Sequence, residues 1–291
     1  MLIGGEQVTC QTEDFIRLHG FFLPAGGESK AELDAVFISH AIGGNFYNSR
    51  FLTRLALSCH DAGLPVLMAN NRGHDVVNYV AAGAGRKKQG AAFEKVSDCR
   101  LDYAAWIKLL SDRGFRRIGI IGHSLGAIKA IYSQAFKPRE EVAAIVAFSA
   151  SRLRYQDLIE SPHVDTFLGY LNQAKQLCND GKSEQLMEVD FPFPILISAG
   201  TYVDKYDDAD RYNWLNFVDK IQVPTWLAFG ERELNDNAAF QGLLEQVQSL
   251  GLDNRQFETE VVPGANHYYT GCQQEAADRM IRWFSDRFAP A

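Results

Sequence analysis

The segment Gly122-His123-Ser124-Leu125-Gly126 sets one serine between two glycines, with the apolar run "IGIIG" leading into it and the helix-friendly "AIKAIYSQAF" following. A serine hydroxyl is a poor nucleophile until a base removes its proton. A histidine imidazole can do so near neutral pH and later return the proton to a leaving group. G-x-S-x-G between a strand and a helix forces a sharp turn, with the serine in strained backbone geometry and its hydroxyl above the sheet. Glycines at 122 and 126 leave room for that turn, and the start of the following helix favours negative charge developing beside Ser124. The competing reading, a serine that only caps a helix, fits the pentapeptide alone; the flanking strand and helix favour the nucleophile. The candidate base is His267, in the Gly-rich "PGANHYYTG" after the last strand, with Tyr268 and Tyr269 packing around it. His123 lies inside the turn and is expected to point away from Ser124, while His19, His60 and His163 have no motif around them.

The elements that must position these groups are legible as apolar runs. "QVTC" and "FIRLHGFFL" read as an opening antiparallel pair across the polar turn "QTED". "AVFISH", "PVLMANN", "IGIIG", "VAAIVAFS", "PTWLAFG" and "FETEVVPG" come next as strands, most of them continuously apolar, as expected when helices cover both faces of a parallel sheet. Between them Leu52, Leu55, Ala56 and Cys59 show helical spacing, as do Phe240, Leu243, Leu244 and Val247, and Ala277, Met280, Ile281 and Phe284; Cys99, Tyr103, Trp106 and Leu110 form a similar stripe. The alternation predicts an α/β fold: a mostly parallel, doubly wound sheet with right-handed crossovers and helices on both faces. Residues 152–216 interrupt the rhythm and are expected to form a lid or cap inserted into a core of residues 1–151 and 217–291. A loop at the carboxyl end of a strand can cover the ligand crevice there; a surface elaboration away from the crevice is the alternative.

Composition narrows the functions. The 291 residues, 46% hydrophobic and 22% charged, can bury one large core. A net charge of -7 without a long basic run argues against nucleic acid or anionic membrane as partner, and an uncharged or cationic small molecule fits better. No apolar stretch approaches the roughly 18 residues of a membrane span, and the N-terminal text lacks a signal-peptide pattern. The expected location is therefore cytoplasmic. Five cysteines without a C-x-x-C pair favour reduced thiols, with Cys59 and Cys99 read as small buried hydrophobes. Neither a metal nor a cofactor is expected.

The "GHSLG" turn, "SHAIGGN", "NNRGHD", "FGERE" and "GANHYYTG" together resemble the α/β-hydrolase superfamily over almost the whole chain outside the insertion. That resemblance implies a nucleophile, an acid and a histidine in this chain order: Ser124, Glu233 and His267. The acid usually stands in G-x-x-D after the penultimate core strand, and Gly230-Glu231-Arg232-Glu233 offers a glutamate there, one methylene longer. Asp236 is the alternative acid, and Glu231 a weaker rival. The resemblance also implies two oxyanion donors: the Leu125 N–H after the nucleophile and the Ile42 N–H in His40-Ala41-Ile42-Gly43-Gly44-Asn45. Ala41 stands where a glycine is usual, so Gly43 remains the alternative to Ile42. His40 is expected to brace its loop rather than enter the chemistry, and Arg72 to anchor loops rather than clamp substrate.

These residues and the resemblance together imply a serine hydrolase for a carboxylic ester, thioester or lactone of a small organic molecule, working through an acyl-enzyme. A serine at this turn argues against haloalkane dehalogenase or epoxide hydrolase chemistry, for which relatives use an aspartate. An acyltransferase with the same triad and a non-enzymatic small-ligand receptor on the same fold are the other readings. Having nucleophile, base, acid and oxyanion loop together weighs toward an enzyme. Tyr155, Phe167, Tyr170, Tyr202, Tyr206, Tyr212 and Trp214 either line an acyl pocket or form the insertion's own core. Asp204, Asp207, Asp208 and Asp210 read as a solvated face rather than a site for a cation.

Overall fold

The computed structural model describes residues 4–29, 31–237, 239–251 and 256–290. The chain opens with β1 (Glu6–Gln11), β2 (Arg17–Leu23), β3 (Ala35–Ser39), α1 (Arg50–Asp61) and β4 (Val66–Ala69). A hairpin of β5 (Asn78–Ala82) and β6 (Gly85–Gln89) precedes α2 (Cys99–Asp112), β7 (Ile118–His123), α3 (Leu125–Phe136) and β8 (Val142–Phe148). The long interval then holds α4 (Tyr155–Ile159), α5 (Val164–Asn179), β9 (Leu186–Val189), β10 (Ile195–Ser198) and α6 (Ala199–Tyr206). β11 (Thr225–Gly230), α7 (Glu231–Asp236), α8 (Leu243–Ser249), β12 (Phe257–Val262) and α9 (Gln273–Arg287) complete the order.

The eight strands expected from the apolar runs form one sheet in the order β1-β2-β4-β3-β7-β8-β11-β12. β2 runs antiparallel to both its neighbours, and every pairing from β4 onward is parallel. Successive side chains leave a strand on opposite faces. Ile120 of β7 and Leu227 and Phe229 of β11 therefore join one core with Trp106 of α2 and Ile128 of α3. Ile121, Trp226 and Ala228 join the other, with Leu55 of α1 and Met280 and Phe284 of α9. Both faces being covered, the central strands carry no polar alternation, which is why their sequences read as unbroken apolar runs. Among the described residues no helix is long and apolar enough to cross a membrane.

Three features differ from the sequence reading or extend it. Phe240 is buried but lies ahead of α8, because Gly242 takes a left-handed conformation (φ 69) and the helix begins only at Leu243. The β5–β6 hairpin gave no signal, since its strands are short and mostly exposed. In the interval before β11, Phe167, Leu171, Met187, Ile197, Tyr202 and Tyr206 form a separate small core. Tyr212 and Trp214 instead join the large core beside α3, where Trp214 Nε1 donates to the Ala150 carbonyl at 3.3 Å. These five aromatics, Phe167, Tyr202, Tyr206, Tyr212 and Trp214, are spent on packing.

Parallel register brings the candidate groups to one edge. Ser39 of β3, Gly122 of β7 and Ala147 of β8 are consecutive partners across the sheet, and Ala147 in turn pairs with Leu227 of β11. The loops that leave these strands must emerge side by side. β7 passes into α3 through Ser124, held at φ 55 and ψ -123 by its N–H bond to the Phe148 carbonyl at 2.8 Å. A Cβ on Gly122 would stand 2.3 Å from the Gly126 oxygen, and one on Gly126 would stand 2.5 Å from the His40 oxygen. Both obstacles are backbone. Gly122→Ala and Gly126→Ala are therefore each expected to destabilise the protein by about 1–3 kcal/mol. Urea denaturation measures this, and unchanged midpoints for both variants would contradict the packing argument.

Candidate active site

Ser124, His267 and Glu233, 143 and 34 residues apart along the chain, meet at the carboxyl edge of the sheet. With its proton on Nδ1, His267 donates to Glu233 Oε2 at 2.7 Å, and its Nε2 accepts from the Ser124 hydroxyl at 3.0 Å. The imidazole can thus take the serine proton while the carboxylate fixes its tautomer and stabilises the imidazolium that forms. Ser124 and His267 are partly exposed, so a substrate can reach them. The strained serine backbone, of a kind that costs about 1–3 kcal/mol, aims the hydroxyl out of the sheet.

The glutamate uses its extra methylene to fold back. Glu233 is the third residue of α7, and its Oε1 accepts the Gly230 N–H at 2.7 Å, one of the donors a helix start leaves without an intrahelical partner. The same oxygen accepts the Ser149 hydroxyl at 2.6 Å. Asp236, at the far end of α7, is exposed. Glu231 accepts the Gly264 N–H at 2.7 Å and so ties α7 to the loop that carries His267. A Cβ on Gly230 would sit 2.5 Å from the Ala265 oxygen, so this glycine lets that loop approach the end of β11.

Three supporting residues were not assigned these roles from sequence. Ser149 closes the apolar run of β8 with φ 54 and is fully buried. A polar residue ending such a strand was its one sequence signal. The Tyr269 hydroxyl donates to the Ala228 carbonyl at 3.0 Å and lies 3.1 Å from Ser149 Oγ, while its ring stacks on Phe51. His123 turns away from Ser124, as expected, but is not idle. Its Nε2–H donates to the His267 carbonyl at 2.7 Å, and burial beside His267 lowers its pKa to about 3, which keeps the ring neutral.

The loop after β3 stands on the other side of Ser124. The Gly44 N–H bonds the Ala41 carbonyl at 3.0 Å, closing a tight turn with Ile42 and Gly43 at its corner and Gly43 at φ 60. Among the described residues, no protein acceptor engages the N–H of Ile42, of Gly43 or of Leu125. His40 braces this loop, its Nδ1–H donating to the Ala41 carbonyl at 2.8 Å and its Nε2 accepting the Asn71 N–H at 3.0 Å. Burial lowers its pKa to about 3. Arg72 is buried beneath, with Nε and Nη2 on Asp102 Oδ1 at 3.0 and 2.9 Å and both Nη groups on Asp14 at 3.0 Å. Its guanidinium is taken up by these carboxylates, so Arg72 anchors the loops instead of facing a ligand.

A second buried ion pair, Lys129 with Glu94, lies under α3. Lys205 of α6 reaches the same place, its ammonium 3.4 Å from the Ala91 carbonyl and 3.3 Å from that of Glu94, and burial lowers its pKa to about 8. Gly73 makes room here, since a Cβ on it would lie 2.1 Å from the Glu94 carboxyl carbon. Helix α6 is thereby fastened to the loops below the site.

No protein-family model and no curated protein matches the chain. Solved structures do. The esterase Pf2001 of Pyrococcus furiosus superposes with a TM-score of 0.62 over 99% of this chain and 92% of its own, at 22% identity. The α/β hydrolase GrgF from Penicillium sp. sh18 gives 0.69 over 98% and 99%, at 15% identity. Est1E from Butyrivibrio proteoclasticus, solved with ferulic acid bound, gives 0.65 over 96% and 99%, at 14% identity. The strand order, the serine turn at the end of β7 and this likeness over nearly the full length identify the fold of the chain as that of the α/β hydrolases.

Proposed function

We propose that the protein is a serine hydrolase that cleaves a carboxylic ester, thioester or lactone of a small organic molecule. The observation that carries this reading is the relay of Ser124, His267 and the buried Glu233, with the serine held in strained geometry at the sheet edge. Solved esterases of the same fold support it.

In this reading Ser124 Oγ attacks the acyl carbonyl while its proton passes to His267 Nε2. The oxyanion accepts hydrogen bonds from the Leu125 and Ile42 N–H groups, with Gly43 the alternative to Ile42, and the unengaged state of these donors supports the assignment. Collapse of the tetrahedral intermediate expels the alcohol or thiol, which takes the proton from His267 and leaves an acyl-Ser124. Water, deprotonated by the same histidine, then adds to the acyl carbonyl and releases the acid. Residues 152–216 act as a cap over a core of residues 1–151 and 217–291; the small core within that segment and its attachment through Lys205 support this division.

Ser124→Ala and His267→Ala are expected to lower kcat for an activated aryl ester by about 10⁴- to 10⁶-fold, because triad members act as a unit. Thermal unfolding should show the variants folded. Glu233→Gln is expected to be severe and Asp236→Asn mild, and the reverse order would overturn the choice of acid. Product analysis with an alcohol or amine added as competing nucleophile separates hydrolysis from acyl transfer. Free acid is the expected main product, and predominance of the transfer product would favour the acyltransferase.

A further inference from the structure

Beside the loop after β3 lies a cavity of 420 Å³, walled by that loop, the first turn of α1, His123 and Tyr268. Two of its walls are thus the immediate chain neighbours of Ser124 and His267. It shares Asn48, Ser49, Arg50 and Gln273 with a second, outer cavity of 500 Å³ that runs along α1 past Arg54 and Leu57. Through these shared residues the two adjoin along the start of α1, as a groove that begins at the loop carrying Ile42 and Gly43.

The charge in this groove is one-sided. Among the described residues, Arg50 and Arg54 are the only formally charged ones lining it, since His40 and His123 are kept neutral by burial and no carboxylate lines either cavity. Asp75, which accepts the Tyr47 hydroxyl, is engaged by Asn45 and His74 and does not line the groove. Among the described residues neither arginine has an ion-pair or hydrogen-bond partner, although the chain carries 36 acidic residues against 29 basic ones. Their placement does not serve the helix. Arg50 opens α1, where a cation opposes the helix dipole, and Arg54, four residues on, adds like-charge repulsion on the same face. The helix end is already capped by Ser49 Oγ, which accepts the Leu52 N–H at 3.2 Å. The guanidinium groups are what the groove offers.

We propose that this groove holds the far, anionic end of the substrate: an ester with an apolar stretch that ends in a carboxylate. The stretch would lie on Ile42, Leu52 and Tyr268, and the carboxylate would pair with the Arg50 and Arg54 guanidinium forks. This rests on the ester-hydrolase reading and narrows it to a substrate class. It also departs from the uncharged or cationic partner suggested by the net charge of -7, because the charge local to a groove, not the total, meets the ligand.

The test compares monoaryl esters of linear C6 to C10 dicarboxylic acids with the matching ω-amides, and alkanoate esters of ω-hydroxy acids with their amides. Each pair is run with the wild type, Arg50→Gln/Arg54→Gln and the charge-matched control Arg17→Gln/Arg282→Gln. In at least one series the carboxylate member is expected to win by tenfold or more in kcat/KM, mainly through KM. That ratio should fall toward one in Arg50→Gln/Arg54→Gln and persist in the control. Equal turnover of both members in every pair, or a preference that survives the double substitution, would overturn the proposal. If no ester is turned over, fluorophosphonate labelling of Ser124 decides the hydrolase reading separately, and calorimetric binding of suberanilic acid still tests the groove. Binding at least tenfold weaker in the double variant supports the groove, and equal binding refutes it.

Discussion

Glu233 places a carboxylate where water does not reach, and the site depends on the donors that make this tolerable. Gly230 N–H and the Ser149 hydroxyl hold one oxygen, which leaves the other to orient the His267 imidazole. An unpaired buried carboxylate would be costly. The donors come from the end of β11 and the end of β8, so the carboxylate is satisfied only if those strands lie in their observed parallel register. Fold and site are in this sense one arrangement: the hydrogen bonds that fix the base are the bonds that close the carboxyl edge of the sheet.

The histidine is fixed from its backbone as well as its side chain. His123 grips the His267 carbonyl, and Glu231 holds the Gly264 N–H at the start of the same loop. Opposite, His40 locks the turn that presents Ile42 and Gly43. Two buried histidines thus do structural work as neutral rings, each with one nitrogen donating to a carbonyl, while His267, partly exposed, keeps the nitrogen that faces Ser124 available. Burial separates the roles: it removes protonation from His40 and His123 and so leaves their tautomers to be set by their partners.

Much of this was legible in the sequence, for physical reasons that also mark the limits. The eight sheet strands were readable because burial on both faces demands continuous apolar runs, and Ser124 because the tight turn admits almost nothing but glycine at 122 and 126. β5 and β6 were not, since two five-residue strands that are mostly exposed carry no apolar pattern long enough to read. Whether Glu233 or Asp236 meets His267 depends on which side of a short helix faces the sheet edge, which the text "GERELND" does not encode. Ser149, Tyr269 and the His123 bond join residues more than a hundred positions apart or in separate loops, so only the folded register brings them together. The seven aromatic residues of the insertion suggested a pocket or a core with equal force; five of them proved to be packing.

The central claim is that Ser124 is an activated nucleophile. Labelling the purified protein with a fluorophosphonate probe and mapping the adduct by peptide mass spectrometry, with Ser124→Ala alongside, tests it without knowledge of the substrate. The expected result is one phosphonyl group per chain, confined to Ser124 and absent from the variant. A folded protein that resists the probe, or takes it up elsewhere, would contradict the account.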